Sequence, residues 1–90
     1  MKTVQFEEAT YIDFVNWASE NKTIFKKIAD LIKDIDRNGV NIGIGKPEPL
    51  KHYLAGYWSR RITNEHRLVY KIENEIIVIA QCKGHYKQTV

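Results

Sequence analysis

The feature that most constrains this chain is a change of hydrophobic period about halfway along it. Ile24, Ile28, Leu31, Ile32 and Ile35 recur every three or four residues, the repeat that lays apolar side chains along one stripe of an α-helix. Later the repeat shortens to two. Leu68, Tyr70 and Ile72 alternate with Arg67, Val69 and Lys71, as side chains do on the two faces of a strand. Helices followed by strands predict an α+β fold, two N-terminal helices packed on a twisted, mainly antiparallel β-sheet. With 90 residues there is room for one such domain, residues 1–90, and no second.

Local signals place the elements. Residues 8–20 predict a first helix, with Tyr11, Phe14, Val15 and Ala18 on its inner face and Trp17 flanking that face. Polar residues 19–22 break it, and Asn21 can cap a second helix that runs to about Arg37 and stops at Asn38-Gly39. The outer side of this helix carries Lys26, Lys27, Asp30, Lys33 and Asp34 and reads as a solvated face. Residues 1–6 alternate weakly and predict a short strand that joins the sheet made later. Both prolines and the glycines Gly43 and Gly45 make 40–51 a loop able to present side chains. Three strands are predicted over 53–63, 66–73 and 75–82, turning at Asn64-Glu65 and Glu73-Asn74 into an antiparallel meander. Leu68, Tyr70 and Ile72 then face the helices, and Arg67 projects onto the open face, where a ligand can reach it.

Several function classes fall away. Cys82 is the sole cysteine, so no intramolecular disulfide forms; its apolar surroundings predict a buried, inert thiol and suit a reducing cytoplasm. No apolar run reaches the roughly 18 residues that span a bilayer, and none reads as a signal peptide, so no membrane partner is expected. His52, His66 and His85 lack metal-ligand spacing, so neither metal nor other cofactor is expected. Gly43-Ile44-Gly45-Lys46 lacks the spacing of a phosphate loop. The formal charge of +3 suits an acidic partner, but solubility explains so small an excess equally well, and position must decide.

What remains is Glu48 between Pro47 and Pro49, together with Lys46, Lys51, Arg60, Arg61, Arg67, His85 and Tyr86. Metal-free RNA cleavage needs such a set: a base for the ribose 2′-OH, cations for charge building on the phosphate, and an acid for the leaving 5′-oxygen. Glu48 can serve as base, the bidentate fork of Arg67 as phosphate clamp, and His85 as acid, giving a 2′,3′-cyclic phosphate and a 5′-hydroxyl. Each residue alone has a plainer reading. A proline-flanked Glu is usually a surface loop residue, and a histidine near a C-terminus is usually incidental. Arg60 and Arg61 stand evenly between phosphate contact and salt-bridged charges on an exposed strand edge. Tyr86 stacks on a base or caps the core.

The block Gly45-Lys46-Pro47-Glu48-Pro49-Leu50-Lys51-His52, the run Gly56-Tyr57-Trp58-Ser59-Arg60-Arg61-Ile62-Thr63, Glu65-His66-Arg67-Leu68-Val69-Tyr70 and the late His85-Tyr86 together resemble toxins of the YoeB/Txe type within the RelE-like superfamily. The similarity covers nearly the whole chain. It implies a RelE-like fold and the toxin role of a type II toxin-antitoxin system: a ribosome-dependent endoribonuclease that cuts mRNA in the A site of the 70S ribosome and so inhibits translation. It implies base, phosphate-stabilising and acid roles for Glu48, Arg67 and His85, with Lys51, Arg61 and Tyr86 positioning substrate. The implied partners are a YefM-like antitoxin and a second toxin copy, with operator DNA met only through the antitoxin complex. Two features depart from the pattern: residues 87–90 run past the usual His-Tyr ending, and 38–44 lack the Pro-Phe pairing associated with that loop. The rival readings are a ParE-like poison of DNA gyrase and a non-catalytic, antitoxin-bound partner in operator binding, since a shared architecture does not guarantee shared chemistry.

Overall fold

Asn21 sets where the helical half turns back on itself. Its side-chain oxygen accepts from the backbone N–H groups of Thr23 and Ile24, at 3.1 and 3.2 Å, which satisfies two of the free donors at a helix start. In the computed structural model, which describes residues 1–86, this cap separates α1 (Glu8–Glu20) from α2 (Lys22–Asn38). Gly39 closes α2 with φ 89°, a conformation that a side chain would strain, and its N–H donates to the Ile35 carbonyl. The predicted stripe of α2 is the buried one: Ile28, Leu31 and Ile35 have no exposed surface.

The strands are β1 (Thr3–Phe6), β2 (Glu48–Pro49), β3 (Trp58–Arg61), β4 (Arg67–Glu73) and β5 (Ile76–Gln81). They form one sheet in the order β1-β5-β4-β3-β2, antiparallel except where β1 lies parallel to β5. The α+β architecture and the late joining of β1 are as the sequence predicts. Leu68 and Tyr70 of β4 and Ile77 and Ile79 of β5 meet the α2 stripe in the core, with Trp17 and Cys82 closing one end. As predicted, Cys82 is fully buried, and burial pushes its thiol up to about 12.

Three expectations change. The inner face of α1 is built from Thr10, Phe14 and Trp17, whereas Tyr11 and Val15 are 56% and 46% exposed. Hydrogen bonding decides the rotation. A bulge opposite Val69 and Tyr70 leaves Ala80 out of register, and its carbonyl accepts from Thr10 Oγ1 at 2.7 Å, while Trp17 Nε1 donates to the Cys82 carbonyl at 3.0 Å. Apolar residues surround much of α1, so periodicity alone does not choose among its faces. Second, the strand predicted over 53–63 begins only at Trp58. A 3₁₀ turn, His52–Leu54, precedes it, closed by bonds of 3.0 Å from Leu54 N to the Lys51 carbonyl and from Ala55 N to the His52 carbonyl. Third, the last hairpin turns at Asn74 and Glu75, both left-handed with φ 52° and 63°, so β5 starts one residue later than predicted.

Candidate functional site

The loop between α2 and β2 is fastened from inside by Arg60. Neighbours on a strand point to opposite faces, and Arg60 takes the helix side, with no exposed surface, while Arg61 stays exposed. Five bonds use its guanidinium: Nε donates to the Tyr70 hydroxyl at 2.9 Å, Nη1 to Asp34 Oδ2 and to the Ile44 carbonyl, and Nη2 to the carbonyls of Gly39 and Ile42. The Tyr70 hydroxyl in turn donates to the Val40 carbonyl. Burial pushes the Tyr70 phenol up, which keeps that proton in place, and the Arg60 guanidinium holds the Asp34 carboxyl below its usual 3.8. Gly43 has no substitute here, since a Cβ would lie 1.8 Å from Asp34 Oδ2. These bonds answer the backbone polar groups that an irregular segment would otherwise leave unpaired.

Having been fastened, the chain turns through Lys46, left-handed at φ 54°, and enters β2, where Glu48 pairs with Ser59 and Pro49 with Trp58. Pro49 is tolerated because, among the described residues, β2 is the last strand of the sheet and its outer edge has no ladder to complete. Residues paired directly across strands share a face, so the register lays Glu48, Ser59, Val69 and Gln81 in one row on the face away from the helices. Arg61 is paired with Arg67 in the next row. Two like charges opposed across a sheet repel, and an anion between them removes that penalty. Tyr57 and Tyr86 lie over this face: Lys71 Nζ sits 4.9 Å from the Tyr57 ring centre, and the Tyr86 hydroxyl is 3.0 Å from Ser59 Oγ.

The segment after β5 returns alongside the start of β4. Arg67 N donates to the Gly84 carbonyl at 3.1 Å, Gln81 Nε2 to the same carbonyl at 3.0 Å, and Gly84 N to His66 Nδ1 at 2.8 Å. This brings His85 beside Arg67, because both reach the Asn64 carbonyl, Arg67 Nη1 at 3.1 Å and His85 Nε2 at 3.2 Å. A carbonyl only accepts, so His85 presents its proton at Nε2. Arg67 Nη1 also donates to the carbonyls of Thr63 and His66.

Of the residues singled out in the sequence, Glu48, Arg61, Arg67, His85 and Tyr86 are gathered on or beside one face. Lys46 and Lys51 are exposed on the two approaches to β2. Arg60 is the correction: it is neither an exposed edge charge nor a phosphate contact, because it faces the core with its donors committed. Residues 87–90, noted as a departure from the resembled pattern, lie outside the described residues. Sequence reasoning missed Ser59, His66 and Gln81. The i, i+2 spacing of Ser59 and Arg61 was a signal that they share a face, but the contacts of His66 and Gln81 with Gly84 depend on how the terminal segment folds back.

The profile described as a YoeB-like toxin of bacterial type II toxin-antitoxin system matches residues 6–86. The chain belongs to this family. Toxin YoeB of Escherichia coli strain K12 is 51% identical over 86 residues, 96% of this chain and all of that protein. Among solved structures, a YoeB-YefM complex from Staphylococcus aureus matches with a TM-score of 0.90 at 49% identity, covering 96% of this chain and 99% of that one. A YoeB dimer from the same organism matches with a TM-score of 0.89 at 48% identity, covering 94% and 98%. The RelE-like fold implied by the resemblance is the fold observed.

Proposed function

We propose that this toxin is a metal-independent endoribonuclease that cuts mRNA in the ribosomal A site. Glu48 takes the proton from a ribose 2′-OH, and the freed oxygen attacks the adjacent phosphorus. The bond from phosphorus to the 5′-oxygen breaks as the imidazolium form of His85 gives that oxygen a proton from Nε2 and is left as the neutral ring. Arg67 and Arg61 hold the phosphate oxygens as charge accumulates, and Lys46, Lys51 and Tyr86 position the strand. The products are a 2′,3′-cyclic phosphate and a 5′-hydroxyl. The observation that carries this reading is the placement of Arg67, which has Arg61 as its direct cross-strand partner and shares the Asn64 carbonyl with His85. Glu48 faces the same way from the row next to it.

The exposed catalytic set has few groups to hold a nucleophile in line, so free RNA is cut poorly and the ribosome supplies the alignment. A YefM-like antitoxin, acidic where it covers Arg61 and Arg67, neutralises the toxin, which also pairs with a second copy of itself and acts in the cytoplasm. Operator DNA is met only through the antitoxin complex. Primer extension on a short mRNA in a bacterial translation system tests the reading. Cleavage is expected with ribosomes present and is lost by about 10²- to 10⁴-fold in His85→Ala. Growth arrest without cleavage, undiminished in His85→Ala, would replace this reading with that of a gyrase poison.

A further inference from the structure

His66 is buried on the start of β4 with its imidazole edge-on to Trp17 of α1, ring centres 5.0 Å apart. Its Nδ1 accepts the Gly84 N–H at 2.8 Å, which places the proton of the neutral ring on Nε2. Gly84 immediately precedes His85. The Gly84 carbonyl accepts from Arg67 N and Gln81 Nε2, so with His66 on its N–H this one residue is gripped at three points, through the two peptide groups that flank it at the root of the terminal segment. An imidazolium has two N–H groups and no acceptor, so protonating His66 sets N–H against N–H and opens one of the three points.

We infer that His66 is a positioning residue that places the His85-Tyr86 segment over the open face and makes that placement sensitive to protons. The charged groups around it are Glu65, whose Oε1 is 3.8 Å from Nε2, Arg67, whose Nη1 bonds the His66 carbonyl, and Lys83, whose Nζ lies 5.7 Å from the Trp17 ring centre. From α1, Asp13 acts on the neighbouring Cys82. The inference rests on the proposed cleavage chemistry for its activity readout and stands apart from it in its structural readout.

Two variants separate the acceptor from the proton. His66→Asn presents an amide oxygen near the place of Nδ1 and does not titrate, whereas His66→Phe keeps an aromatic ring against Trp17 and has no acceptor. Ribosome-dependent cleavage is measured for both, and for the wild type, between about pH 5.5 and 8, across the range where histidine titrates. The Gly84 amide is followed by nitrogen-15 NMR over the same range. His66→Phe is expected to lower kcat on the order of 10²-fold with KM within about twofold, because displacing an acid by about 1 Å spoils transfer without removing a binding contact. His66→Asn is expected to stay within about threefold of wild type near neutral pH and to show an acid limb shallower by one proton. In the wild type, the Gly84 amide shifts as His66 titrates. A Gly84 amide that ignores this titration, a His66→Phe as active as wild type, or a His66→Asn as impaired as a folded His66→Phe would each overturn the inference. Wild-type protein that cuts no RNA overturns the proposed function instead, and the Gly84 amide alone then decides.

Discussion

Glu48 and Arg67-His85 belong to one face of the sheet, yet the segments that bring Glu48 and His85 there are held by different chemistry. The loop leading to Glu48 hangs on a buried guanidinium whose bonds reach Asp34, Tyr70 and three backbone carbonyls. The segment carrying His85 hangs on Gly84, gripped by one imidazole nitrogen, one carboxamide and one backbone N–H. The first support is charged and lies against the core. The second is largely neutral and ties the segment after β5 to β4 and β5. The difference teaches that two segments meeting on one face can hang on unlike supports, one charged and tied to the core, the other largely neutral and built on a single glycine.

The comparison breaks most visibly at Arg60. Arg60→Met leaves the partly exposed Asp34 without its cation and three loop carbonyls without donors, and at about 1–3 kcal/mol for each buried group left unpaired it is expected to cost at least about 3 kcal/mol of stability. Against a total of about 5–15 kcal/mol for a small domain, that loss moves the urea midpoint far down, which denaturation followed by circular dichroism measures. Tyr70→Phe removes the hydroxyl that links Arg60 Nε to the Val40 carbonyl and should cost about 1–3 kcal/mol by the same measurement.

Asp34 sharpens the contrast through pH. The hydrogen bond from Arg60 lowers its carboxyl in the folded state, so its contribution is present above the ordinary value of 3.8 and is lost as pH falls through the lowered one. Wild type should therefore be more stable than Asp34→Asn above that value, and the two unfolding curves should converge in stronger acid. On the other side, Gln81→Ala removes one of the three points on Gly84. It is expected to change unfolding by at most about 1 kcal/mol while slowing the proposed RNA cleavage several-fold. A Gln81→Ala that unfolds as readily as Arg60→Met would mean that the two supports do not differ in kind.

Much of this was legible in the residue order. The Ile24, Ile28, Leu31, Ile32, Ile35 stripe, the Asn21 cap and the alternation of β4 rest on interactions among near neighbours, where backbone period and local hydrogen bonding leave one solution. The same alternation put Arg67 on the open face, and the blocks around Glu48, Arg67 and His85 carried the family. Tertiary structure decided the rest. Adjacent arginines at 60 and 61 read alike in sequence, and only the pairing of β3 between β2 and β4 sent one into the core and the other toward the site. The rotation of α1 likewise waited on a bulge at Ala80, and the role of His66 on a peptide group 18 residues later. The physical reason is range: periodicity and caps act within a few residues, whereas strand register and the pairing of buried polar groups are set by segments far apart in the chain that must satisfy one another at once.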